Sequence, residues 1–153
     1  MKTLVVYDSV YGNTEIIARA IGDAIPGEVQ VLRVGQVNAG DLETVDLLII
    51  GSPTHGSLPT EAVQRLVEKI GSPAREGAKA ATFDTRLAWK FLERWGGFAA
   101  PKMADMLKDK GWMLAGEPGG FFVKGLKKGP LKRGEADRAA AWAKEIVGLE
   151  ARS

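Results

Sequence analysis

Three clusters of small hydroxyl, glycine and amide residues stand where the hydrophobic pattern of this 153-residue chain changes. Their residue types suit the seating of a polar ligand better than attack on a bond. The first is Asp8-Ser9-Val10-Tyr11-Gly12-Asn13-Thr14-Glu15, between a short apolar run and an amphipathic stretch. Hydroxyls, a glycine and an asparagine ahead of a helix N-terminus, where backbone N–H groups lack partners and the helix dipole favours negative charge, suit a phosphate. This loop holds no lysine or arginine, so an anion there would be met by hydrogen-bond donors rather than by countercharge. Ser, Asn and Thr are equally the ordinary caps of a helix, and local chemistry leaves both readings open.

The second cluster, Gly51-Ser52-Pro53-Thr54-His55-Gly56-Ser57-Leu58-Pro59-Thr60, spaces two glycines as a nucleotide-binding P-loop does, but Ser57-Leu58 stands where that loop needs Lys-Ser/Thr. No G-x-G-x-x-G opens the first helix, which argues against a dinucleotide fold, and Gly51-Ser52 stands where a receiver domain carries its phosphoacceptor aspartate. The third cluster begins at Asp84-Thr85-Arg86-Leu87 and runs as a long connection past Trp89 to Phe98. Leu87, Phe91 and Trp95 recur at helical spacing, and these aromatics either line a flat ring system or close the core beneath the loop. His55 is the only histidine, and a histidine in a ligand loop is suited to titrate near neutral pH.

Positioning these clusters requires elements that alternate, and the chain supplies them. Apolar runs at 4–7, 29–34, 47–50, 80–83 and 112–114 continuing through 121–123 read as five strands. Helical stripes lie between them at 16–25, 62–70 and 139–147, with a weaker one at 100–107 and a short or irregular crossover over 35–45. Runs that are apolar throughout imply burial on both faces, so the reading is an α/β fold, one domain over 1–153 with a parallel sheet between helical layers. In such sheets ligands sit beyond the carboxyl ends of the strands, where the three clusters lie.

The absence of cysteine excludes a disulfide framework, a thiolate nucleophile and Cys-held metal centres. No catalytic or metal-ligating set stands out. No apolar run approaches the ~18 residues of a membrane span, so a cytoplasmic protein without membrane insertion is expected. The net charge is +2, unevenly placed: residues 1–60 carry 3 basic and 7 acidic groups, residues 101–153 carry 11 and 7. Lys124, Lys127, Lys128, Lys132 and Arg133 form a basic run, either a solvated face or a docking surface for an acidic partner. Without interleaved aromatics it does not suggest nucleic acid.

The loop Ser9-x-Tyr11-Gly12-Asn13-Thr14 is similar to the S-x-T-G-N-T phosphate loop of flavodoxins. Gly51 to Gly56, Phe83-Asp84-Thr85-Arg86 and the tail Gly129-Pro130-Leu131-Lys132-Arg133-Gly134-Glu135 add to the likeness, so the whole chain resembles a short-chain flavodoxin. The resemblance implies a flavodoxin-like three-layer sandwich, with a five-stranded parallel sheet in the order 2-1-3-4-5 and helices on both faces. It implies non-covalent flavin mononucleotide (FMN), with Ser9, Val10, Tyr11, Gly12, Asn13 and Thr14 around the phosphate. Pro53, Thr54, His55 and Gly56 would run along the ribityl chain and ring, a backbone carbonyl near His55-Gly56 accepting from flavin N5 on reduction. Asp84, Thr85, Arg86 and Leu87 would meet the ring's other side.

Flavodoxins are usually acidic, and this chain departs from them in its basic balance. The function implied first is an electron carrier between redox partner proteins, here with an acidic docking face on the partner. An FMN-dependent oxidoreductase, such as a quinone or protoporphyrinogen reductase, and a cofactor-free interaction domain are the alternatives. Oligomeric state and the stacking aromatics are not readable from the sequence.

Overall fold

A computed structural model describes residues 1–87, 97–125 and 129–152, with side chains described up to Gly148. The strands are β1 (Lys2–Tyr7), β2 (Glu28–Arg33), β3 (Leu47–Pro53), β4 (Lys79–Leu87), β5 (Met113–Leu114) and β6 (Gly119–Val123). The helices are α1 (Asn13–Ala24), α2 (Ala39–Glu43), α3 (Glu61–Lys69), α4 (Ala99–Asp109) and α5 (Glu135–Arg152), with a 3₁₀ turn at Val34–Gln36. The irregular crossover expected over 35–45 is this turn followed by the five-residue α2.

All strand pairings are parallel, in the order β2-β1-β3-β4-β5, as the resemblance implied. The fifth strand expected at 112–123 is two pieces, both on β4: β5 pairs with Lys79 and Ala80, β6 with Phe83 to Leu87. Pro118, which has no N–H to give a ladder, and the left-handed Gly116 interrupt it. Two strands also outrun their apolar cores. Gly51, Ser52 and Pro53 complete β3, and Asp84 to Leu87 complete β4. Leu87 is therefore a strand residue and not the start of a helix; its partners in that spacing, Phe91 and Trp95, lie outside the described residues, as do Trp89, Lys90 and Arg94.

Two apolar layers cover the sheet. One joins Leu4, Val6, Leu48 and Ile50 to α3 and α4; the other joins Val5, Ile49, Phe83 and Phe121 to α1 and α5. The central strands are buried on both faces, as their unbroken apolar runs require. On α1, Ile17 and Ile21 are buried while Ile16 is half exposed on the outer side, and Gly22 brings the helix so close to β2 that a Cβ there would stand 2.5 Å from Val31. Gly51 makes a similar approach, its Cα side occupied by the Phe83 ring at 1.9 Å from where a Cβ would be. Beyond α4, Gly111 takes a left-handed φ of 96°, and the Gly111 and Trp112 N–H groups return to Lys108 and Leu107 carbonyls. α3 has no such glycine terminus: it stops at Ile70, and Gly71 is not left-handed. No helix among the described residues is long and apolar enough to cross a membrane.

Candidate functional site

At the carboxyl ends of β1, β3, β4 and β6 lies an open cleft of about 530 Å³, counting space that merges with solvent. The first cluster contributes Ser9, Val10, Tyr11, Asn13 and Thr14; the second contributes Pro53, Thr54 and His55; the third contributes Thr85, Arg86 and Leu87. Gly12 and Gly56 shape the turns behind this lining, and Asp84 is turned away from it. Val123 and Gly125 complete the wall, and no sequence signal singled them out.

In the first loop the side chains that could cap α1 make their hydrogen bonds elsewhere. Ser9 Oγ accepts from the Gly12 N–H (3.0 Å), Asn13 Nδ2 donates to the Gly129 carbonyl (2.6 Å), and the buried Thr14 hydroxyl pairs with that of Thr85 (2.8 Å). None of these side chains caps the helix. Gly12 holds the N-cap position with φ 94°, a left-handed conformation that glycine adopts without Cβ strain, and α1 begins with no side-chain cap. Asp8 fixes the loop's base, accepting from the Ser9 N–H (2.9 Å) and the Thr60 hydroxyl (2.6 Å). Arg33 adds a contact invisible in the sequence: from the end of β2 its guanidinium donates to the Ser9 carbonyl (3.0 Å). The loop thus carries no cation of its own but has one behind it, engaged by Asp8 and Glu15.

On the second wall, His55 and Leu58 exchange both backbone hydrogen bonds (2.8 and 3.0 Å) around Gly56 and Ser57, whose φ values of 56° and 71° make a tight mirror-type turn. His55 is exposed at the rim. Val10, Tyr11 and Leu58 are apolar side chains about half exposed on the loops that flank the cleft.

The third wall is a buried polar lattice. Asp84, wholly buried, receives Arg86 in a two-pronged ion pair (2.6 and 2.8 Å) and accepts the Ala100 N–H (2.8 Å). Thr54 Oγ1, one residue beyond β3, accepts from the Ala99 N–H (3.1 Å), so two N–H groups at the start of α4 are satisfied from β4 and the end of β3. Burial pushes the Asp84 carboxyl above the ordinary carboxylate value, and the Arg86 fork and Ala100 N–H pull back. Arg86 lies 3.8 Å over the Phe98 ring, and a Cβ at Gly120 would stand 2.4 Å from its Cζ, so that glycine gives the guanidinium its slot.

The β6 edge is covered from outside. The Lys124 and Lys132 N–H groups donate to Pro130 and Phe122 carbonyls (both 2.8 Å), and Glu135 accepts from the Phe122 N–H (2.7 Å). Arg138 donates to both Glu135 oxygens and holds that carboxyl below its ordinary value. Lys124, Lys132 and Arg133 are exposed on this edge, while Lys127 and Lys128 lie outside the described residues.

The model of the flavodoxin domain family matches residues 4–117. Among solved structures, a flavodoxin from the domain Archaea is 20% identical, with a TM-score of 0.77 over 99% of both chains. Oxidised flavodoxin 1 from Bacillus cereus is 20% identical, with a TM-score of 0.76 over 97% of this chain and 98% of that one. Rubredoxin oxygen:oxidoreductase from Desulfovibrio gigas is 18% identical, with a TM-score of 0.77; it covers 99% of this chain, which corresponds to 36% of its own length. At these identities the likeness is one of fold. No curated protein matches the chain by sequence.

Proposed function

The chain belongs to the flavodoxin domain family, whose members bind FMN and transfer electrons, and from that premise we propose that this protein is an FMN-dependent electron carrier. One observation carries the reading: no side chain caps the N-terminus of α1, which opens beside the cleft, because Ser9, Asn13 and Thr14 make their hydrogen bonds elsewhere. A dianionic phosphate is the ligand such a terminus favours.

The donor set fits FMN. Two paired hydroxyls share one hydrogen bond, so the Thr14–Thr85 pair keeps one O–H to give. Backbone N–H groups of residues 10–14 would do the rest, with Pro53, Thr54 and His55 along one side of the ligand and Thr85, Arg86 and Leu87 along the other. Bound FMN supplies the redox chemistry; the chain binds, orients and shields it. The His55–Leu58 turn, with its two left-handed residues, presents the peptide group expected to meet the ring. Arg86 is the guanidinium in the cleft lining, and its ion pair with Asp84 keeps that wall close to neutral.

For the partner, the exposed Lys124, Lys132 and Arg133 beside Val123 and Gly125 favour an acidic docking face, the reverse of the charge common among flavodoxins. Titrating apoprotein with FMN and with riboflavin, followed by quenching of flavin fluorescence, tests the assignment. FMN is expected to bind at least about tenfold more tightly, since only it offers a phosphate. Equal affinities, or no binding, would remove the proposal.

A further inference from the structure

We propose that Arg33 is a positioning residue for the FMN phosphate, acting through the loop that holds it and not on the ligand itself. This rests on reading residues 9–14 as the phosphate seat. Arg33 ends β2, and its register opposite Tyr7 sets it beside the exit of β1. Its guanidinium spans the loop. Nη1 donates to the Ser9 carbonyl (3.0 Å) and lies 3.8 Å from Asp8 Oδ1, Nη2 donates to Glu15 Oε1 (3.3 Å), and Cζ sits 5.3 Å from the centre of the Tyr7 ring.

One consequence is orientation. A trans peptide points its C=O and N–H in opposite directions. Holding the Ser9 carbonyl on the Arg33 side therefore turns the Val10 N–H away from the guanidinium, toward the side where Val10, Asn13 and Thr14 line the cleft. The other consequence is charge balance. Glu15 also pairs with Arg19 at 2.9 Å, so two carboxylates and two guanidiniums stand behind the loop. Without Arg33, Asp8 and Glu15 would face an arriving dianion with Arg19 alone. Arg33 is 43% exposed, so its own Coulomb pull on the ligand is screened, and the hydrogen bond to Ser9 carries most of the effect.

The test compares FMN with riboflavin on the wild-type apoprotein, Arg33→Met and Arg33→Lys. Arg33→Met is expected to weaken FMN about tenfold and to leave riboflavin within about twofold, the loss of one charge-assisted hydrogen bond felt only by the phosphate. Arg33→Lys, which keeps the charge but gives up the fork between Ser9 and Glu15, should fall between. A general loosening of the fold would weaken both ligands alike, so equal losses overturn the proposal, as does an unchanged preference for FMN in Arg33→Met. Should Arg33→Met fail to fold, a wild-type preference in Arg33→Lys overturns it alone. A wild-type protein with no preference for FMN removes the phosphate seat itself, and the role of Arg33 with it.

Discussion

Two helices begin at the same edge of the sheet, and the protein treats their N-termini in opposite ways. The start of α4 is closed by Thr54, just past the end of β3, and by the buried Asp84 of β4, which accept from the Ala99 and Ala100 N–H groups. The start of α1 has Gly12 in the N-cap position, and the nearby Ser9, Asn13 and Thr14 side chains are turned to other partners. Orphan N–H groups at a helix start need partners. Where the fold supplies them, the terminus is structure; where it withholds them beside a cleft, as at α1, the terminus is the anion seat we propose. Residue composition does not separate the two cases, since a threonine and an aspartate stand near both starts.

The contrast breaks most visibly at Asp84. Asp84→Ala strips Arg86 of its partner and α4 of an acceptor, and removing one member of a buried ion pair costs about 3 kcal/mol or more. A large fall in the chemical denaturation midpoint is expected; a loss under about 1 kcal/mol would show that α4 does not depend on this cap. At the other terminus the balance reverses. Ser9→Ala with Thr14→Ala should weaken FMN by roughly 10- to 100-fold while riboflavin changes little, with a stability loss well below that of Asp84→Ala. Parallel losses of the two flavins would mean that these hydroxyls shape the cleft and do not face the phosphate.

Smaller effects sharpen the same comparison. Thr54→Ala removes the second acceptor at α4 and should cost about 1 kcal/mol, the usual value of a lost helix cap. Because Thr54 also lines the cleft, any loss of affinity should be shared by FMN and riboflavin, in contrast to Ser9 and Thr14. Glu135 provides a pH-dependent case of a backbone N–H satisfied by the protein. Arg138 hydrogen bonding holds its carboxyl below the ordinary 4.5. A group with a depressed folded pKa contributes stability above its unfolded pKa and loses it as pH falls through the folded one. Glu135→Gln should therefore flatten the stability profile below about pH 4.5, and an acid branch as steep as the wild type's would contradict the role given to Arg138.

Much of the fold was legible because hydrophobic period and strand burial are local properties. Leu47 to Ile50 and Leu4 to Tyr7 announce doubly covered strands, and the Gly12 loop announces its helix. Strand ends were less legible: β4 runs on through Asp84, Thr85 and Arg86 because β3, β6 and the start of α4 satisfy polar groups that read as a loop. The same blindness to long-range pairing hid the role of Asp84 and two parts of the site's frame. Asp84 belongs to α4 more than to the cleft. Val123 and Gly125 join the wall through β6. Arg33, 24 residues from Ser9, reaches the loop only because β2 lies beside β1.

The central claim is that uncharged donors before α1 seat the phosphate of FMN. A crystal structure of the protein grown with excess FMN tests it most directly. The account predicts phosphate oxygens within hydrogen-bond distance of backbone N–H groups in residues 10–14 and of the Ser9 or Thr14 hydroxyl. Flavin bound with its phosphate elsewhere, or water alone against Gly12 and Asn13, would contradict it.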